Sequence, residues 1–204
     1  MEAAIIDYGM GNLWSVQRAF EKCGFDAEII DSPNLIEKTE RIVLPGVGAF
    51  PDAVKSLKEA GWIEALNNAV IVQKKPLLGI CLGMQLLASY GNEGGVCKGL
   101  DYIKGKVVDL KATKKDERIP HVGWNEVIIK NNNGLFKDIK TCTNYYFVHG
   151  YHFVPDDDAD IVSVTPYCGE FVSAIAHDNI MGVQFHPEKS QKAGFALIKN
   201  FMGM

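Results

Sequence analysis

The sequence predicts an α/β fold: a single domain, residues 1–204, with a central, mostly parallel, doubly wound sheet, flanking helices and a smaller strand-rich region in the C-terminal half. Three observations predict it. Short apolar runs alternate with segments of helical spacing through the first half of the chain. One junction, Gly79-Ile80-Cys81-Leu82-Gly83, reads as a strand, a one-residue apex and a helix. Beyond residue 100 the helical spacing gives way to runs of strand character separated by turn residues.

The elements follow in order. Ala3–Asp7 is a short apolar run and reads as the first buried strand. Gly11–Cys23 places Leu13, Val16, Ala19 and Phe20 at helical spacing. Ala27–Ile30 and Arg41–Leu44 are strand-like, the second ending in Pro45-Gly46-Val47-Gly48. Asp52–Leu57 and Ile63–Val72 are helical, and Leu77–Ile80 is the strand that feeds the apex. Val107–Leu110, Glu126–Ile129, Tyr145–Val148, Ile161–Val164, Val172–Ala176 and Met181–Phe185 read as strands, with Asp178-Asn179 a hairpin turn. Phe195–Phe201 closes the chain as a helix. Lys111–Arg118 is a solvated charged loop, Asn131-Asn132-Asn133-Gly134 a turn, and Asp156-Asp157-Asp158 an exposed loop rather than a metal site.

Composition bounds the function. The chain has 204 residues, 47% of them hydrophobic, which is ample for a globular core. A formal net charge of −4 gives no electrostatic reason to bind nucleic acid or a membrane surface. The N-terminus lacks the basic and long apolar regions of a signal peptide, and no apolar stretch reaches membrane-spanning length. Five cysteines without CxxC spacing suggest neither a disulfide framework nor a zinc site, so the expected compartment is the reducing cytoplasm. Cys23, Cys97, Cys142 and Cys168 read as buried core residues. His149 and His152 make a poor metal pair and read as packing or hydrogen-bonding residues. Gly9-Met10-Gly11 fails the phosphate-binding fingerprint because position 14 is Trp14, which leaves a strand-to-helix turn.

The chemistry converges on Cys81. A thiol becomes a good nucleophile beside an imidazole and a helix N-terminus. Val183-Gln184-Phe185-His186-Pro187-Glu188 ends an apolar run with a His and, two residues later, a carboxylate. His186 can supply the imidazole and Glu188 can fix its tautomer, the logic of a triad performing acyl transfer through a thioester. The developing oxyanion needs amide donors, for which the glycines of 45–48 and the amide of Leu82 are the natural sources.

Together these segments resemble the class I, or triad, glutamine amidotransferases. The carriers are Gly-Ile-Cys-Leu-Gly-Met-Gln-Leu-Leu at 79–87, the upstream Pro-Gly-Val-Gly and Gln-Phe-His-Pro-Glu-Lys-Ser at 184–190. Asp7-Tyr8-Gly9-Met10-Gly11-Asn12-Leu13, Pro120-His121-Val122-Gly123-Trp124-Asn125 and Tyr146-Phe147-Val148-His149-Gly150-Tyr151 narrow the likeness to the glutaminase subunits of imidazole glycerol phosphate synthase. The resemblance runs from residue 3 to about residue 202. It implies a heterodimeric enzyme of histidine biosynthesis in which this subunit hydrolyses glutamine. The ammonia would pass through an internal tunnel to a (β/α)8-barrel cyclase subunit, which converts a phosphoribulosyl-formimino nucleotide to imidazole glycerol phosphate and the purine precursor AICAR. By position, Cys81 is the nucleophile, His186 the general base and acid, and Glu188 the orienting carboxylate. Gly46, Gly48, Leu82, Gln85, Gly150 and Tyr151 would hold glutamine, and Asn12, Trp124 and Lys189 would approach the partner. No tightly held cofactor and no metal is implied. The family's strand at 45–48 is expected to be misoriented until the partner binds its own ligand.

Two positions depart from the family pattern: Val122, where Met is frequent, and Gly150, where Ser or Thr is frequent. Other readings are a paralogous subunit supplying ammonia to another synthase, such as one that amidinates surface sugars, and a catalytically silent binding or regulatory module. A peptidase, a cysteine hydrolase or the glutaminase of pyridoxal phosphate synthesis would be a different enzyme on the same scaffold.

Overall fold

A computed structural model describes residues 1–131 and 134–204. Its elements, in chain order, are β1 (Ala3–Ile6), α1 (Leu13–Lys22), β2 (Ala27–Ile30), β3 (Arg41–Gly46), α2 (Phe50–Glu59), α3 (Trp62–Leu66), β4 (Leu77–Cys81) and α4 (Leu82–Leu86). There follow β5 (Tyr90–Gly91), β6 (Cys97–Lys98), β7 (Gly105–Asp109), β8 (His121–Ile129), β9 (Thr143–His149), β10 (Tyr151–Pro155), β11 (Ile161–Thr165), β12 (Phe171–His177), β13 (Ile180–Val183) and α5 (Gln191–Met202).

Nine strands form one sheet in the order β2-β1-β3-β4-β13-β12-β11-β8-β9. The first five are mutually parallel and the remainder antiparallel, so the sheet is mixed. The strands of the C-terminal half therefore largely extend the main sheet. A separate four-stranded sheet, β10-β7-β5-β6, forms the smaller strand-rich region.

The continuous apolar runs are explained by burial on both faces. Ala3 and Ile5 of β1 belong to the core on the α1 and α5 side, and Ala4 and Ile6 to the core beneath α2 and α3. Alternate side chains of one strand thus fill two different cores, as the two-residue period demands. α1 buries Val16, Ala19 and Phe20 along one stripe, and α5 buries Leu197, Ile198, Phe201 and Met202. The predicted helix through Val72 becomes α3 followed by a π-helical stretch, Asn67–Val72.

The Asp178-Asn179 turn forms as predicted, with Asp178 at φ +51° and His177 paired to Ile180. Asn179 also anchors it: its side chain donates to the carbonyls of Val70 and Lys75, and its own carbonyl accepts from the Leu77 amide. That docking sets β13 beside β4 in parallel, with Val183 level with Ile80.

The cysteine expectation needs correcting. Cys81 is buried, but Cys142 is exposed and Cys23, Cys97 and Cys168 are only partly buried. Cys142 and Cys168 occupy positive-φ positions, which places them in turns rather than in the core. Lys111–Lys115 and the Asp156–Asp158 segment are exposed as expected. The turn predicted at 131–134 lies partly outside the described residues.

Candidate active site

The register of three parallel strands builds the site at their carboxyl ends, where open α/β sheets bind ligands. β4 ends at Cys81, and Gly46 at the end of β3 pairs with it. β13 ends at Val183, level with Ile80, so the chain leaving it delivers Gln184 and His186 to the other side of the cysteine.

Cys81 sits at φ +56° and ψ −108°, a sparsely populated conformation for a residue with a Cβ. Its glycines make that apex buildable. A Cβ on Gly79 would lie 2.7 Å from the Gly83 carbonyl oxygen, and one on Gly83 would be driven into the carbonyl of Leu44. The helix after the apex, α4, is only five residues long, because the chain turns away after Leu86 toward β5. Its aid to an anion at the apex therefore comes from first-turn amides rather than from a long macrodipole.

The segment from His186 to Ser190 is pinned against β9. The His186 amide donates to the Tyr146 carbonyl at 2.9 Å, the Tyr146 amide to Ser190 Oγ at 3.0 Å, and Ser190 Oγ to the His186 carbonyl at 2.6 Å. Within it, His186 Nδ1 lies 2.8 Å from Glu188 Oε1, with both side chains almost fully buried. That pairing holds a proton on Nδ1 and leaves Nε2 to exchange a proton with Cys81, although Nε2 is buried and makes no well-formed hydrogen bond among the described residues. Burial disfavours the imidazolium, but interaction with Cys81 and Glu188 outweighs it and raises the His186 pKa to about 10. The Cys81 thiol donates to the Val148 carbonyl at 3.8 Å, and the Gln184 side-chain amide donates to Sγ at 3.7 Å.

Cys81 and His186 open into a cleft of about 340 Å³ lined also by Val47, Gly48, Leu82, Gln85, Glu93, Pro120 and Val148–Tyr151. Of the residues expected to hold substrate, Gly48, Leu82, Gln85, Gly150 and Tyr151 line it. Gly46 does not; it lies beneath, where a Cβ would meet Leu82, Gly83 and the Tyr8 hydroxyl. Gly48 has φ +105°. Gly150 has room, its nearest neighbours being Pro120 and Ile119 at 3.9 and 4.0 Å from a built Cβ. Both amide N–H groups of Gln85 are used, on the Tyr151 carbonyl and on Gln184 Oε1, each at 3.0 Å, which leaves its oxygen for a ligand. Trp124 is half exposed, packs edge-on against Tyr146, and Lys189 stands 5.7 Å over the Tyr146 ring. Asn12 is exposed at the start of α1.

The residues missed from the sequence are Glu93, Gln184, His121 and Val148. Glu93 lines the cleft with one oxygen held by the Phe50 amide at 2.7 Å. Gln184 is fully buried, and a polar residue inside an apolar strand run was the signal available for it. Val148 acts through its carbonyl, which no side-chain pattern reveals. Among the described residues no group of three or more His, Cys, Asp or Glu side chains is placed to hold a metal.

A strained elbow thiol facing a buried His–Glu pair on an α/β sheet is the arrangement with which thiol-dependent amidohydrolases cleave amides. The family model "Glutamine amidotransferase class-I" matches residues 4–203. Imidazole glycerol phosphate synthase subunit HisH 2 of Methanococcus maripaludis is 48% identical, covering 98% of each chain. The HisH subunit of Geobacter sulfurreducens is 45% identical over 97% of this chain and 96% of its own. The structure of PurLQS from Thermotoga maritima shares the fold at a TM-score of 0.75 and 19% identity, covering 99% of this chain and 97% of that one. The chain belongs to the class-I glutamine amidotransferases and, within them, to the HisH subunits of imidazole glycerol phosphate synthase.

Proposed function

We propose that this chain is the glutaminase subunit of imidazole glycerol phosphate synthase, cytoplasmic, working as a heterodimer with the cyclase subunit. The observation that carries the chemistry is the apex thiol of Cys81, set across a cleft wall from a His186 whose tautomer Glu188 fixes. Full-length likeness to HisH subunits supports the partner and the pathway.

Glutamine enters with its α-ammonium toward the free oxygen of Gln85 and the carboxylate of Glu93, which lines the cleft. His186 Nε2 takes the thiol proton as Sγ attacks the carboxamide carbon. Amides of Leu82 and of the 47–48 segment receive the oxyanion. Collapse breaks the C–N bond, and imidazolium returns the proton so that ammonia leaves. Water, deprotonated by the same Nε2, then attacks the thioester and releases glutamate with the thiol restored. Val122 and Trp124, exposed on β8, with Lys189 and Asn12, form the face offered to the cyclase.

Glutamate release by the purified chain, alone and with the cognate cyclase, tests the reading. Cys81→Ser removes the release while the fold is kept. Release that the cyclase leaves unchanged points to a different ammonia acceptor, such as a sugar-amidinating synthase.

A further inference from the structure

We propose that Gln184 is a catalytic residue that donates a hydrogen bond to the Cys81 sulfur, and that His121 and His149 are positioning residues joined to it by a hydrogen-bond network whose two arms converge on the Tyr151 carbonyl. The proposal rests on the glutaminase reading for its kinetics, but not for its chemistry at sulfur.

The direction of every link is forced. The Tyr151 carbonyl can only accept, so His149 Nδ1, 2.8 Å away, carries that ring's proton. His149 Nε2 is then bare, and His121 Nδ1, 3.0 Å from it, must donate. His121 Nε2 is bare in turn and accepts from the Asn125 side-chain amide at 3.3 Å. From the other side, Gln85 gives one N–H to the same Tyr151 carbonyl and one to Gln184 Oε1, both at 3.0 Å. Gln184 is left with its own N–H groups facing Cys81 Sγ at 3.7 Å. One network therefore runs from Asn125 on β8, whose neighbours Val122 and Trp124 are exposed, to the nucleophile.

Packing alone does not account for these residues. Gln184 is 0% exposed and both His rings are nearly so, stacked among Phe147, Tyr167 and Phe171, where apolar side chains would cost less to bury. Burial holds both rings neutral, as the chain requires. What the polar chain supplies is orientation: it fixes the Gln85 amide so that its oxygen faces the cleft, and it aims an N–H at the sulfur, favouring its anionic form.

The test uses the full chain with its cyclase. Two readouts are taken: kcat and KM for glutamine, and the rate of Cys81 alkylation by iodoacetamide followed on the Cys81 peptide. Gln184→Met, of similar volume and without a donor, is expected to slow alkylation and lower kcat by about tenfold each, the effect of one buried hydrogen bond, and to raise KM as well because Gln85 loses its Gln184 acceptor. His149→Phe keeps a ring packed against His121, Phe147 and Phe171 and is expected to raise KM about fivefold through Gln85 and Tyr151. His149→Asn, which keeps a donor at the Nδ1 position, recovers most of that loss. His121→Phe combined with His149→Phe does no more damage than His149→Phe alone. Wild-type alkylation and kcat in folded Gln184→Met, or additive effects of the two His substitutions, would overturn the proposal. Slowed alkylation without any glutamate release by the parent protein would instead uphold the sulfur contact and discard the glutaminase reading. If Gln184→Met fails to fold, Gln184→Leu supplies the same comparison.

Discussion

Cys81 occupies a backbone conformation that its neighbours make possible and that its own side chain resists. The strain holds Sγ clear of the sheet, and Gly79 and Gly83 absorb the crowding beneath it. Two substitutions separate chemistry from construction. Cys81→Ser keeps the shape, so glutamate release falls by about 10³-fold or more while the thermal midpoint moves by no more than about 2–4 °C. Gly83→Ala drives a methyl group into the Leu44 carbonyl and loses about 3 kcal/mol in a urea titration, with activity lost through the elbow. At the mouth of the cleft, Glu93→Gln tests how substrate is held. It raises KM for glutamine about tenfold with kcat little changed, as expected for a charge that meets the α-ammonium equally in ground and transition states. A lowered kcat at constant KM would remove Glu93 from the binding role.

At the scale of elements, the site is a consequence of register. Asn179 docks the β12–β13 turn against the loop before β4, which brings β13 level with the elbow and sets His186 opposite Cys81. This part was legible in sequence as pieces: the apex, the His-Pro-Glu segment and Pro-Gly-Val-Gly could each be read from residue types at fixed spacing. Their adjacency could not, because pairing between β4 and β13 spans about a hundred residues of chain and leaves no local pattern. The same holds for β8 and β9, where His121 lies opposite His149 and Trp124 opposite Tyr146. Alternation along β8 sends His121 inward and Val122 outward, so one strand carries both the buried hydrogen-bond chain and the exposed apolar face. Trp124→Ala is expected to weaken cyclase binding by about 2 kcal/mol, roughly thirtyfold in Kd by titration calorimetry, and to leave the isolated fold unchanged.

For the whole molecule, the sequence revealed the α/β class and the change of texture past residue 100. It did not reveal that those later strands mostly extend the same sheet: β12 joins antiparallel to β13 and β11 antiparallel to β12, and edge order depends on long-range pairing. Global stability should carry the imprint of the buried imidazoles. Burial lowers His121 to about 4 and His149 to about 3. The unfolded rings protonate near pH 6.5, so below that pH the unfolded state binds more protons and is favoured. Stability is complete above pH 6.5 and falls toward pH 4, by up to about 1.4 kcal/mol per pH unit per ring. His186 works in the opposite sense: its raised pKa contributes stability that is present below pH 6.5 and lost as pH rises through about 10. The urea midpoint should therefore drop between pH 7 and pH 5, and the drop should shrink in a His121→Phe, His149→Phe double variant. An equal drop in that variant would assign it to other groups, such as His152, whose pKa burial also lowers, or carboxylates elsewhere.

The central claim is that Cys81, His186 and Glu188 hydrolyse glutamine for a cyclase partner. Glutamate release measured for the chain alone, with the cyclase, and with the cyclase and its nucleotide ligand tests it most directly. The account predicts little release from the chain alone and strong stimulation only in the complete mixture, abolished by Cys81→Ser. Release at full rate by the chain alone, or unchanged by Cys81→Ser, would contradict it.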